Sequence, residues 1–236
     1  MSLRLRSAQG RLVLTTTALL FMSVVAYAQV ATPRLTAPKF VGGGGSTTTW
    51  SATNKNSDFA LSNGNLTATA AVFTGGYSIG LATSAVTTAQ KRYFEVTINS
   101  VSAQASTGLA QSGVSFTYGR WLGESSQSVG YENNGNVYAG GSQIGTVGTY
   151  GSGAVISVAV DFAAGKVWFR LNGGNWDGSP TDNPATNTGG FTHGVTGGLY
   201  PGYMMQYDNT TPCQVTANFG ATAFTYTPPS GFSAMP

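Results

Sequence analysis

From Arg92 to Ile98 the chain alternates without a break. Phe94, Val96 and Ile98 fall on one side of an extended chain, and Tyr93, Glu95 and Thr97 on the other. Side chains of a β-strand point alternately to its two faces, so a strict period of two requires a strand with one buried face. The pattern returns at Val155–Phe162, with Ile156, Val158, Val160 and Phe162 on one side, and at Lys166–Leu171, with Val167, Phe169 and Leu171. Ala163-Ala164-Gly165 can turn the chain between them, so residues 155–171 are predicted to form a hairpin. A second hairpin is predicted at Val129–Glu132 and Val137-Tyr138, around Asn133-Asn134-Gly135, because Asn-Gly tolerates the positive φ of tight turns. Gln214–Phe219 reads as a late strand with Val215, Ala217 and Phe219 inward. No stretch after residue 30 has a helical period. Many short strands with close turn signals predict an all-β fold, an antiparallel β-sandwich, with Phe94, Val96, Val158, Val160, Phe169 and Phe219 in its core.

Only 8% of the 236 residues are charged, against roughly 25% in an average soluble protein. Disorder is not the consequence, because aromatic residues make up 11% and Val and Thr recur throughout, whereas disordered chains are poor in both classes. Thirty-three glycines without a Gly-X-Y period indicate tight turns rather than a collagen helix.

The leader explains the whole of the net charge of +3. Arg4, Arg6 and Arg11 precede an apolar run from Leu12 to Tyr27, which ends in Ala26-Tyr27-Ala28 before Gln29. A basic start, an apolar middle and a small-residue site predict a signal peptide over residues 1–28, and hence a secreted or cell-surface protein. The apolar run of 16 residues is shorter than the roughly 20 a membrane helix needs, so membrane attachment follows only if the leader is retained. Residues 29–47, with Pro33, Pro38 and the run Gly42–Gly45, have linker composition. The folded domain is expected over 48–236, starting near Thr48 to Trp50. Without the three leader arginines, eight basic residues balance eight acidic ones. No basic patch remains to neutralise phosphates, which excludes nucleic acid as a partner. Cys213 is the only cysteine, so there is no intrachain disulfide, and a buried small hydrophobe is its expected role.

Taken in order, several stretches resemble the SPRY domain family, in the form found in bacterial and phage-related proteins. They are Leu61–Thr69, Lys91–Ile98, Gly108-Leu109-Ala110 and Val129-Gly130-Tyr131. They continue with Ile156–Phe169 leading to Asn172-Gly173, then Leu199-Tyr200-Pro201, Val215–Gly220 and Tyr226–Phe232. The resemblance spans roughly residues 48–234. It implies two curved antiparallel sheets in a concanavalin-like sandwich, and recognition of a partner protein through loops at one end. It carries over no catalytic residue and no cofactor.

Hydrolase chemistry finds no support in the residues. Glycoside cleavage needs two carboxyls flanking one bond, yet Glu95 stands alone on its strand and Glu124 and Glu132 lie in or beside turns. A serine nucleophile would need His193, the only histidine, as its base. No Gly-x-Ser-x-Gly elbow exists, and His193 reads as a surface residue. Asp177, Asp182 and Asn183, with Asp208-Asn209, are ordinary turn formers, with a calcium ion as the alternative. Lys91-Arg92 reads as a solvated edge. Two stretches depart from the strand pattern, Gln111–Gln127 and Gly174–Gly198. Long loops in compact domains tend to be functional, so Tyr118, Arg120, Trp121, Trp176, Asp177 and Asp182 are the candidate ligand-binding residues. For Trp121 and Trp176 the competing reading is packing beneath their own loops; for Trp50 and Trp168, core packing is expected. The function expected is that of a non-catalytic, exported recognition module with a protein partner. The alternatives are a self-assembling surface or phage-particle subunit, and a carbohydrate-binding module.

Overall fold

The computed structural model describes residues 45–70, 76–114 and 121–236. The predicted leader at 1–28, most of the linker, and the candidates Tyr118 and Arg120 lie outside these residues. In chain order the strands are β1 (Trp50–Lys55), β2 (Ala60–Ser62), β3 (Thr67–Ala70), β4 (Ser78–Ala82), β5 (Lys91–Ser100), β6 (Ala105–Gln111), β7 (Ser128–Glu132) and β8 (Asn136–Ala139). They continue with β9 (Ser142–Thr146), β10 (Val155–Asp161), β11 (Lys166–Leu171), β12 (Phe191–Thr192), β13 (Leu199–Met205), β14 (Cys213–Asn218) and β15 (Ser233–Ala234). The first sheet runs β1-β4-β13-β6-β7-β8-β9, and the second runs β12-β11-β10-β5-β14-β3-β2, with β15 pairing the start of β5.

The alternation read from the sequence sets the register. Val158 faces Phe169 and Val160 faces Val167 across the β10–β11 hairpin, while Val158 faces Phe94 across β10–β5. All six predicted core residues are buried between the sheets. Trp50 stands edge-on to Phe59 and Phe219 at the base of this core. The second hairpin forms as predicted, with Gly135 at φ 99°. Inside the predicted Gly174–Gly198 loop lie a 3-10 turn at Pro184–Thr186 and strand β12.

The sequence reads one buried face on β5; the structure buries both. Tyr93 and Glu95 point away from the core, yet they are 0% and 1% exposed. The C-terminal segment lies over them. Glu95 accepts the backbone N–H groups of Thr225 and Tyr226 at 2.7 and 2.8 Å and the Tyr93 hydroxyl at 2.7 Å. Phe232 and Phe224 pack with Trp168 and Tyr93 on the same face. Lys91 and Arg92 therefore open a central strand rather than a solvated edge. Lys91 pairs with Asp161 at 2.8 Å, and Arg92 donates to Ser233 Oγ and Ala234 O.

The outer face of the first sheet is covered differently. Gly202, Gly108 and Gly130 stand opposite one another across β13, β6 and β7. A Cβ at Gly108 would come within 2.0 Å of Val129 O, and one at Gly130 within 2.3 Å of Leu122 O. The three glycines make a trough in the sheet. Leu122, fully buried, descends from the β6–β7 connection beside Ile79, Leu81 and Met204. Ser128 Oγ accepts from Gly123 N, and Gly123 O from Gly141 N, fixing this segment to the β8–β9 turn.

Candidate functional site

The structure separates Trp121 from Trp176. Trp121 packs against the outer face of the first sheet, edge-on to Tyr138 at 4.8 Å. Trp176 packs against the outer face of the second, with the Arg170 guanidinium 4.4 Å from its ring centre and Tyr93 beside it. The two sheets lie between these tryptophans. The stretch after β11 is a strap along a sheet edge, not an end loop. Asp177 N donates to Phe169 O at 2.7 Å, and Asp177 Oδ1 accepts from Phe169 N at 2.8 Å. Asp177 Oδ2 takes Gly190 N at 3.1 Å. Lys166 and Trp168 donate to carbonyls of Asn187, Thr188 and Gly189. This cover blunts what would otherwise be an open edge strand.

Asp177 is thus a buried anchor. Burial, followed by the facing Asp182 carboxyl, raises its pKa to about 7 against two backbone hydrogen bonds that lower it. Asp182 is half-buried and sits over Gly189, whose positive φ and missing side chain make room for it. Among the described residues no three His, Cys, Asp or Glu side chains converge as metal ligands.

The other titratable groups also serve the framework. His193, expected at the surface, is 4% exposed. Its Nδ1 accepts from Val195 N, its own N–H donates to Gly165 O, and burial lowers its pKa. Glu132 ends β7, where it accepts from Asn134 and where burial raises its pKa. Asp161 caps the β10–β11 turn through Ala164 N. Cys213, buried as expected, donates to Gln206 O and sits against Ser102.

One end of the sandwich has a different character. The connections at residues 101–104, 133–135, 147–154 and 206–212 meet there and are hydrogen-bonded to one another. Val101 N donates to Ser152 Oγ, Gln206 N to Gln104 O, and Ser100 Oγ to Pro212 O. Their bases are pinned from below. Tyr150 OH reaches Ala105 O and Tyr131 O, and Asn133 brackets Ala103 O and Ala105 N. Tyr131 OH donates to Gly148 O. The tips are exposed: Asn134, Thr149, Ser152, Asp208, Asn209, Thr210 and Thr211, with Tyr207 half-buried among them. Sequence reasoning read Asn133-Asn134-Gly135 and Asp208-Asn209 as turns and did not group these loops, because each is short and lacks tryptophan. Their available signal was the Ser/Thr/Asn/Gly composition flanking Tyr150 and Tyr207, a mixture that suits adaptable polar contacts. The opposite end carries a shallow groove of about 420 Å³ lined by Ala89, Gln90, Lys91, Arg92, Gly231 and Ser233. Both of its cations are already bonded within the domain.

A search of the curated proteins finds no match. Among solved structures, the SPRY domain of human HERC1 superposes with a TM-score of 0.56 at 21% identity, covering 71% of this chain and 96% of that one. A human SPRY domain gives 0.54 at 19% identity, covering 71% and 97%. Stonustoxin gives 0.54 at 15% identity, covering 72% of this chain and 27% of the toxin chain. These likenesses establish the shared sandwich fold. The family profile described as "SPRY domain" matches residues 91–222, from the start of β5 into the C-terminal segment, and so more than half of the sequence. The chain belongs to the SPRY domain family, whose members are protein-interaction modules.

Proposed function

We propose that this protein is an exported, non-catalytic recognition module that binds a partner protein through the loop end formed by residues 101–104, 133–135, 147–154 and 206–212. One observation carries the reading. The chain's own segments cover both outer faces of the sandwich, while this end presents exposed polar tips on hydrogen-bonded bases. Binding residues sit preferentially on loops that a rigid scaffold positions, and pre-formed loops lose little freedom on binding. A sugar-stacking groove would need open aromatic faces, whereas Trp121 and Trp176 are half-buried against Tyr138 and Arg170.

The test is site-specific photo-crosslinking in the protein's native setting. A photoreactive residue at Thr149 or Thr210 should yield a discrete crosslinked partner, and one at Thr87 or Ala223 should not. Equal capture from Thr87 would move the binding surface to the other end. The export component rests on the basic leader and the Ala26-Tyr27-Ala28 site. Mass spectrometry of exported material should find Gln29 as the first residue, and a mature protein starting at Met1 would remove it.

A further inference from the structure

Sheet edges present unpaired backbone groups, and proteins usually blunt them with charge, proline, short strands or a cover. Four strands end the two sheets here, and three of them are blunted. Strand β12 has two residues and continues the strap over β11. Strand β2 has three residues. Strand β1 carries a charge at its end, Lys55.

Strand β9 is the exception. It ends the first sheet with the sequence Ser-Gln-Ile-Gly-Thr. Four of its five residues are exposed, and no backbone or side-chain partner bonds its outer side among the described residues. No charged residue occurs from Asn133 to Val160, so neither the strand nor its flanks carries a repelling group. Ile144, at its centre, is the exposed large hydrophobic among the described residues, at 38%. It has no Cα partner on β8, because the register shifts there and Gln143 and Gly145 take the neighbouring pairs.

We infer that β9 is a homotypic docking edge, pairing antiparallel with β9 of a second copy about a two-fold axis at Ile144. The sequence is complementary to itself under that axis: Ile144 meets Ile144, Gln143 meets Gly145, and Ser142 meets Thr146. An uncharged strand pays no repulsion on meeting its own copy, which favours a second copy over a charged partner strand. The pairing joins two seven-stranded sheets into one of fourteen strands. Since the other edges are blunted, it closes at two copies and does not propagate. A five-residue edge contact is small beside the roughly 1,200–2,000 Å² of stable interfaces, so the dimer is weak and forms on concentration. It uses an edge distinct from the loop end, and the two can be tested independently.

Sedimentation equilibrium on the full chain, in a Cys213→Ser background, provides the test. The chain should pass from monomer to dimer between micromolar and millimolar concentration, and Ile144→Lys should weaken association at least tenfold. Ile144→Cys should oxidise to a covalent dimer, because antiparallel partners lie within the Cα separation a disulfide spans. Gln143→Cys should not, since its copies sit off the axis. A chain that stays monomeric throughout, an Ile144→Lys variant that dimerises equally, or species larger than a dimer would each overturn the proposal. Circular dichroism and melting of each variant distinguish lost association from lost folding.

Discussion

The two outer faces of the sandwich are both closed by the chain itself, by opposite means. On the first sheet a trough of three glycines receives the apolar side chain of Leu122. On the second sheet a buried carboxylate, Glu95, holds the backbone of the C-terminal segment, with Tyr93 and Arg170 around it. An apolar plug is non-directional and costs little to misplace. A buried carboxylate must find every partner, because each donor left unpaired is penalised. The first cover should therefore loosen gradually when weakened, and the second should fail as a unit.

Glu95→Ala is the harshest test of that contrast. It strands the amides of Thr225 and Tyr226, leaves the Tyr93 hydroxyl with Ser157 and Tyr226 O alone, and should cost on the order of 3–5 kcal/mol. Denaturant unfolding measures the loss, and hydrogen exchange should rise along residues 221–235 while Gly123 stays protected. Leu122→Ala should cost about 2–4 kcal/mol through its cavity, with exchange rising at Gly123 and not at Tyr226. If both variants loosened both faces, the covers would be one cooperative unit and the comparison would fail.

Two buried groups beside the second sheet carry pH dependences of opposite sign. The Asp177 pKa of about 7 in the folded chain lies above its ordinary 3.8. Its stabilising contribution is therefore complete below about pH 4 and lost as pH rises through about 7. His193 has the opposite sign: its folded pKa is lowered from 6.5, so its contribution is present above that value and lost as pH falls. Stability measured across pH 4–8 should lose its alkaline decline in Asp177→Asn and its acid decline in His193→Gln. An unchanged profile in Asp177→Asn would mean that the strap does not sense this carboxyl.

The smallest effect concerns the two tryptophans. Each half-buried ring should contribute about 1–2 kcal/mol, between the cost of an exposed and a fully buried aromatic. Because Trp121 and Trp176 pack on opposite faces, the costs in the double alanine variant should add within about 0.5 kcal/mol. A coupling larger than that, read from melting of both single variants and the double, would show communication through the sandwich.

Strand identity and register were legible because one rule, the alternation of faces, holds locally. Phe94, Val96, Val158 and Phe169 could be placed from their neighbours alone. The candidate site was harder to read. Trp121 and Trp176 stand out in the sequence as aromatic residues in polar loops, and nothing local says which face a loop folds back onto. Glu95 looks like a solvent-facing residue, since its distant partners, Thr225 and Tyr226, are absent from any window around it. The loop end is invisible for the same reason: Val101, Ser152 and Gln206 become neighbours only when both sheets are built.

By itself, the sequence determined an all-β chain with its core residues and hairpins, because a period of two and a positive-φ turn are properties of a few consecutive residues. Tertiary structure decided which surfaces the chain covers, which carboxylates became anchors, which edge stays bare and which end presents its loops. Those outcomes depend on contacts between residues far apart in sequence, such as Glu95 with Tyr226 and Leu122 with the glycine trough. Their energy exists only after the two sheets have fixed where each loop can land.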